Sequence, residues 1–141
     1  MTRLGLLWLL GFGAVLGCSH AAHVRDGVGC VDNSETVVFA VPPDHEAGPS
    51  WWLIRLDTPL TPGQAIRISR MARAAEYREG AGAPTFLSTH IDGILKRDTD
   101  QEGAERYALE AVATHPAIDV HGVVKRGVKG LFNVERRTQC R

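Results

Sequence analysis

Short apolar runs bounded by Gly and Pro dominate the chain after residue 34. The run 36–41 is β-branched and aromatic and is stopped by Pro42 and Pro43, which predicts a strand with a terminator. In the run 51–57 the side chains alternate, so Trp52 and every second residue after it share the face that we expect to enter the core. Both runs therefore indicate β structure.

The middle of the chain fits two patterns. Residues 61–64 resemble a capping box with proline at the first helical position, and apolar spacing predicts a helix over 62–79. Against this helix, Gly63 would lie in its first turn, and residues 65–69 alternate as in a strand. Residues 101–114 could likewise form an Ala-rich helix, or one arm of a hairpin that turns through 98–103. Both alternatives stay open.

A local repeat favours the β interpretation. Residues 91–98 and 120–127 share the order aliphatic, polar, Gly, aliphatic, aliphatic, Lys, Arg, turn. A central glycine in a strand is typical of a bulge or bend. A turn at 127–130 would then lead to a closing strand over 131–136. We predict a mainly β domain, a small antiparallel barrel or sandwich of about six strands. The alternative is an α+β fold with helices near 62–79 and 101–114.

The first seventeen residues have the three-part pattern of an export signal. Arg3 gives a basic tip, and the run from Leu4 to Gly17 carries no charge. As a helix this run would extend about 21 Å at 1.5 Å per residue, short of the roughly 30 Å core of a bilayer. We expect residues 1–17 to be removed and the remainder to lie outside the cytoplasm.

The residues Val15-Leu16-Gly17-Cys18 resemble the lipobox of bacterial lipoproteins, in which the cysteine becomes the lipid-modified first residue of the mature chain. This resemblance covers only the signal. It implies a diacylglyceryl group on Cys18 and an N-acyl chain such as palmitate, which together anchor a protein stably. By the sorting rule of enteric bacteria, Ser19 implies the outer membrane, at its periplasmic face or at the cell surface.

The three cysteines then separate into an anchor and a pair. With Cys18 acylated, Cys30 and Cys140 remain near the two ends of the mature chain, and an oxidising compartment favours a disulfide between them. The bridge would place the segment before the first strand beside the segment after the last. Two free thiols, or a bridge to another chain, are the alternatives.

Composition limits the size of the protein and its partners. Cleavage after residue 17 leaves 124 of the 141 residues, enough for one domain with a modest core. It removes only Arg3 of the 16 basic residues and none of the 16 acidic ones, a formal charge of −1. We therefore expect no basic stripe for nucleic acid or anionic lipid. Residues 18–34, rich in Gly, His and Ala, are predicted as a flexible tether, and 35–141 as a single globular domain.

Two His-Asp pairs are candidate metal ligands. His90 and Asp92 would share one face of their strand. Asp119 and His121 would share one face of theirs. On neighbouring strands the four could converge on zinc. Since the aliphatic residues of both strands, including Leu87, are the core candidates, we expect the His and Asp side chains to point into solvent.

A run of acidic residues resembles the start of a calcium loop. Asp98, Asp100 and Glu102 provide oxygen ligands at alternate positions, followed by Gly103. Position twelve of such a loop should be a bidentate glutamate, and here it is Leu109. We expect an acidic hairpin turn and no metal cofactor.

Catalytic motifs are incomplete, and one aromatic pair indicates a binding surface. His45-Glu46 is followed by Pro49 where a zinc-protease motif needs histidine, and no G-x-S-x-G or P-loop pattern occurs. Because Trp52 is assigned to the core, Trp51 must face outward, where an exposed Trp can anchor a protein or a sugar ring. Alternatively, the loop 44–50 covers it.

These observations predict a non-enzymatic envelope lipoprotein that serves as an interaction or accessory module. Its partners would be the membrane, through the lipid on Cys18, and an envelope protein or glycan. A metal-binding envelope lipoprotein is the second hypothesis. An envelope hydrolase is the third, and it would need carboxylates gathered in a cleft.

Overall fold

A computed structural model describes residues 19–43, 49–80, 86–99, 105–119 and 122–140. These residues form one mixed sheet of nine strands and one short helix. The predicted mainly β class is confirmed, with more strands than the six expected. In chain order the elements are β1 (Ser19–Val31), β2 (Thr36–Val41), β3 (Ser50–Arg55), β4 (Ala65–Arg67), α1 (Ile68–Met71), β5 (Ala74–Glu79), β6 (Phe86–Ser88), β7 (His90–Arg97), β8 (Glu105–Asp119) and β9 (Gly122–Arg136).

The sheet curls into a half-barrel with the order β4-β7-β8-β9-β1-β2-β3-β5-β6. Its first and last strands, β1 and β9, pair in the middle of the sheet, and they pair in parallel. The expectation of a purely antiparallel sheet was therefore wrong at this pair. The two outer parts of the sheet approach each other where the Ser88 hydroxyl donates to the Thr114 carbonyl oxygen at 2.6 Å.

Strand β1 occupies most of the segment 18–34, which we expected to be a flexible tether. That prediction was wrong, and the sheet begins at Ser19 rather than near Glu35. The local composition is poor in strand-forming residues, but β9 lies beside β1 from Ser19 to Val31 and supplies its hydrogen-bonding partners. Tertiary pairing has overridden a weak local signal.

The segment 62–79 does not form the alternative helix. It contains β4, the four-residue α1 and β5. Residues 61–64 make a turn instead, in which the Gln64 side chain accepts from the Thr61 amide at 3.0 Å, and Gly63 has a φ of 85°. This left-handed conformation cannot continue into a helix. The other candidate helix, 101–114, falls from residue 105 onward in β8, while 101–104 lie outside the described residues.

The predicted turn at 127–130 is absent, because β9 continues through it to Arg136. The glycines of this stretch serve close strand packing. A Cβ added at Gly130 would lie 2.5 Å from the Val24 carbonyl oxygen on β1. Glycine at this point therefore permits the parallel strands to approach, which a sequence pattern cannot distinguish from a turn.

The core fills the concave side of the sheet. Trp52 and Ile54 are buried there as predicted, and Trp52 packs on Tyr77 with ring centroids 4.6 Å apart. Phe39 contacts the ring of Phe132 at a centroid distance of 4.8 Å. Leu87, expected in the core, lies instead on the edge strand β6 and is 48% exposed.

Candidate functional site

An open apolar groove of about 670 Å³ lies on the outer face of β1, β2 and β3. Trp51 lies half-buried in this groove, on the opposite face of β3 from the buried Trp52, as the alternation predicted. Of the loop 44–50, the alternative cover for Trp51, residues 44–48 lie outside the described residues. We call this surface the Trp51 groove; its apolar side chains are Val28, Val38, Ala40, Trp51 and Leu53.

Two arginines flank the Trp51 groove. Arg78 is held by Glu76, two residues earlier on β5. Arg137 is held by Glu135, with 2.7 Å between guanidinium nitrogen and carboxylate oxygen. Because a guanidinium carries five N–H donors, each paired arginine keeps donors for a ligand. The groove can therefore bind an apolar group next to an acidic one. Apart from Trp51, no sequence pattern indicated this surface, because its residues come from four strands and the C-terminal segment.

The disulfide between Cys30 and Cys140 lines the same groove. The two Cα atoms are 5.7 Å apart across a separation of 110 residues, so the predicted pairing is present. The bridge ties the C-terminal segment, and Arg137 with it, beside β1. It therefore supports one wall of the groove as well as the fold.

A buried glutamate lies inside the half-barrel beside a tyrosine and an arginine. Glu79 is 9% exposed and accepts hydrogen bonds from the Tyr77 hydroxyl at 2.5 Å and from Arg126 at 2.9 Å. Burial, together with the hydrogen bond to Glu79, raises the pKa of Tyr77 above its ordinary value, so the hydroxyl stays protonated as a donor. The three side chains join β5 to β9.

A second glutamate has the same kind of surroundings. Glu105 accepts from the Tyr107 hydroxyl at 2.8 Å and from Arg136 at 2.8 Å. Burial likewise raises the pKa of Tyr107. A hydrolase of the two-carboxylate kind would need carboxylates that face a substrate. Since both Glu79 and Glu105 are paired with arginine, their geometry is that of structural ion pairs.

The predicted metal ligands do not assemble in the described part of the chain. His90 is exposed on β7. The carboxylate of Asp92 is bonded to Arg67, with 2.9 Å between Nη2 and Oδ2. The side chain of Asp119 and the whole of His121 lie outside the described residues. Where the structure describes the chain, no group of three His, Cys, Asp or Glu residues could hold a metal ion.

The calcium-like run can be judged only at its start. Asp98 accepts a hydrogen bond from the Thr99 amide at 2.9 Å, and its own amide donates to the Arg106 carbonyl oxygen. Asp100 and Glu102 lie outside the described residues. β7 and β8 pair on either side of this segment, so it connects the two arms of a hairpin.

Asp92 gives a testable electrostatic prediction. The hydrogen bond from Arg67 holds the pKa of the Asp92 carboxyl well below its usual range, with further bonds from Ser69 and the Gly93 amide. Because the folded-state pKa is depressed, the ionised form stabilises the fold above the ordinary carboxyl pKa, and this stabilisation is lost as the pH falls through the folded pKa.

We expect Arg67→Ala to raise the pKa of Asp92 toward the ordinary range in a carboxyl NMR titration. Arg70→Ala, which removes a neighbouring exposed guanidinium not bonded to Asp92 in the structure, is the matched control. An unchanged Asp92 titration in Arg67→Ala would contradict this pairing.

Comparison of the chain with protein-family models, with curated protein sequences and with solved structures finds no match. Within the described ranges, no helix has the length and apolar character needed to cross a bilayer. Cys18 itself precedes the first described residue. The functional conclusion therefore depends on the residues of this chain and their geometry.

Proposed function

We propose that the protein is a lipid-anchored module of the cell envelope that binds a partner through the Trp51 groove without catalysing a reaction. The observation that carries this proposal is the outward placement of Trp51 in an apolar groove, and residues 1–18, which resemble an export signal with a lipobox, support the membrane location. The lipid on Cys18 would hold the domain at the outer membrane, and the groove would meet the partner.

The chemistry of the groove favours a protein partner. A tryptophan among aliphatic side chains is typical of the anchor position in a protein interface, where a few buried contacts supply most of the affinity. Val28, on the groove floor, is 63% exposed and so remains uncovered by the described chain. Arg78 and Arg137 line the same groove, and a guanidinium group matches the carboxylate of an acidic side chain. We therefore expect an apolar segment with acidic neighbours.

The interior of the half-barrel supports a non-enzymatic role. Among the described residues there, Glu79 and Glu105 each face an arginine that already neutralises the carboxylate. A general acid or base must exchange a proton with substrate from a position that the substrate can reach. The ion pairs instead connect strands across the interior, which is a structural role.

The test is site-specific photo-cross-linking in intact cells, with the photoreactive residue at Leu53 in the groove. We expect one envelope species to be captured. Trp51→Ala should weaken this capture by about thirtyfold in apparent affinity, the size typical of an interface anchor. Leu87→Ala removes an exposed apolar side chain on β6 and is the matched control.

Equal capture by Trp51→Ala and the parent protein would contradict the groove as the binding surface. Capture that is abolished by glycosidase treatment of the envelope would assign the groove to a glycan and contradict the protein partner. In both cases the lipid anchor is tested separately, by the mass of the N-terminal peptide.

A further inference from the structure

A second outer surface carries an unusual concentration of cations. It is an open groove of about 810 Å³ formed by β7, β8, β9 and the first half of β1. Ile94, Ala108 and Leu131 contribute its apolar part. We call it the basic groove; its basic side chains are His23, Arg25, Lys96, Arg106 and Lys129.

Two carboxylates, those of Asp26 and Glu110, also line the basic groove, and Glu110 is paired in register with Lys129, but the four lysine and arginine side chains of the groove outnumber them. Elsewhere arginines such as Arg126 and Arg136 lie against glutamates. Among the described residues, no carboxylate lies within 4.0 Å of the charged groups of Lys96, Arg106 or Lys129. The Nε atom of Arg106 is also buried, and it has no hydrogen-bond partner there. An anion from outside the chain would pair with the exposed ammonium groups of Lys96 and Lys129.

All three lysines of the chain lie on this side of the molecule. They are Lys96, Lys125 and Lys129, and each is exposed on the outer face of its strand. Lys125 is paired in register with Ser19, the first residue of β1. The strand rise of about 3.3 Å per residue puts His23 roughly 13 Å along β1 from Ser19. The basic groove is therefore close to the point where the predicted lipid attachment meets the domain.

Exposed aliphatic side chains accompany these charges. Ile94 in the basic groove is 45% exposed, and Val112 beside it on β8 is 44% exposed. A surface that joins cations to exposed aliphatic groups fits the boundary between lipid headgroups and acyl chains. A nucleic acid would contact the cations and leave the aliphatic groups in water. The net charge of the mature chain, −1, also disfavours a nucleic acid.

We propose that the basic groove, with Ile94 and Val112, is a membrane-contacting face that binds the phosphate groups of acidic phospholipids. This inference rests on the proposed function in placing the domain at a membrane. Because β1 starts at Ser19, no flexible tether separates the anchored residue from the fold. The domain would then lie with this face on the bilayer and with the Trp51 groove on another part of its surface.

Amine footprinting of the full mature protein tests the proposal. The protein is reconstituted into vesicles of phosphatidylcholine alone or with phosphatidylglycerol, and the reaction rate of each lysine is read by peptide mass mapping. We expect Lys96 and Lys129 to react at least about fivefold more slowly in the acidic vesicles, the change expected when one surface charge is engaged. The lysine introduced by Arg55→Lys, on the exposed side of β3, is the matched control and should react equally in both.

A charge-reversed variant, Lys96→Glu with Lys129→Glu, provides the second measurement. In the parent protein we also expect Lys125, on the same face of β9, to react more slowly on acidic vesicles. In the variant this slowing should disappear, while binding through the lipid persists. Equal rates for Lys96 and Lys129 in the two vesicle types would overturn the proposal. Slowing by inorganic phosphate in the absence of vesicles would assign the groove to soluble phosphate and would also overturn it.

Failure of the membrane-contacting face can be distinguished from failure of the lipid anchor. An unlipidated chain would be seen as protein of unmodified mass that does not sediment with phosphatidylcholine vesicles. Mixed with acidic vesicles, such a chain would still show the slowed lysines if the membrane-contacting face is correct.

Discussion

Cys140→Ser should lower the free energy of unfolding by about 4 to 5 kcal/mol, because it frees a loop on the order of 100 residues in the unfolded chain. The separation between Cys30 and Cys140 is 110 residues of the 141-residue chain. An ordinary domain is stable by only about 5 to 15 kcal/mol, so the loss is a large share of the total. Denaturant unfolding followed by circular dichroism measures it.

Reduction of the disulfide in the parent protein should lower the free energy of unfolding by the same amount. Gln139→Ala, which changes the exposed residue next to Cys140, is the matched control and should leave the midpoint nearly unchanged. Identical unfolding midpoints with and without reductant would show that the bridge does not stabilise the fold.

Trp52→Ala and Trp51→Ala should have opposite consequences although the residues are neighbours. Trp52 is 1% exposed and packs on Tyr77, so truncation should cost about 3 to 5 kcal/mol of stability, the range for large aromatic core residues. Trp51 lies on the other side of β3, and its truncation should cost about 1 kcal/mol, as for a side chain outside the core.

The pair is measured by denaturant unfolding together with the photo-cross-linking described above. Trp51→Ala should keep the fold and lose the partner. If both variants were destabilised equally, Trp51 would be a structural residue beneath a covering loop, and the Trp51 groove would lose its role as the binding surface.

The parts of the fold that could be predicted are those with a strong local pattern. The β-branched run 36–41 is β2 with the predicted bounds, and the alternation from Trp51 correctly assigned the faces of β3. The disulfide was also predictable, because the expected acylation of Cys18 leaves Cys30 and Cys140 as one pair. Each of these inferences needs only the residue types and their spacing.

The parts that could not be predicted depend on contacts between distant strands. β1 has few strand-forming residues, and its stability depends on parallel pairing with β9. Gly130 fits a turn in the sequence, yet it permits the close approach of Val24. The helix and strand patterns of 62–79 were nearly balanced, and the conformation of Gly63 favoured the turn.

The basic groove and the Trp51 groove show the same limit of prediction from sequence. The sequence has a balanced charge, and no basic stripe was expected from it. Lys96, Arg106 and Lys129 come from three strands that the sheet places side by side, an arrangement that composition does not show. The Trp51 groove was visible at Trp51 alone, since its arginines and aliphatic residues are contributed by other elements.

The central claim is that this domain is held at a membrane through Cys18, and mass spectrometry of the membrane-extracted protein tests it most directly. We predict an N-terminal peptide that begins at Cys18 and carries the mass of a diacylglyceryl group with an N-acyl chain. In Cys18→Ser the acyl mass should be absent. A chain recovered without lipid, with an unmodified Cys18 or with cleavage at another residue, would contradict the account.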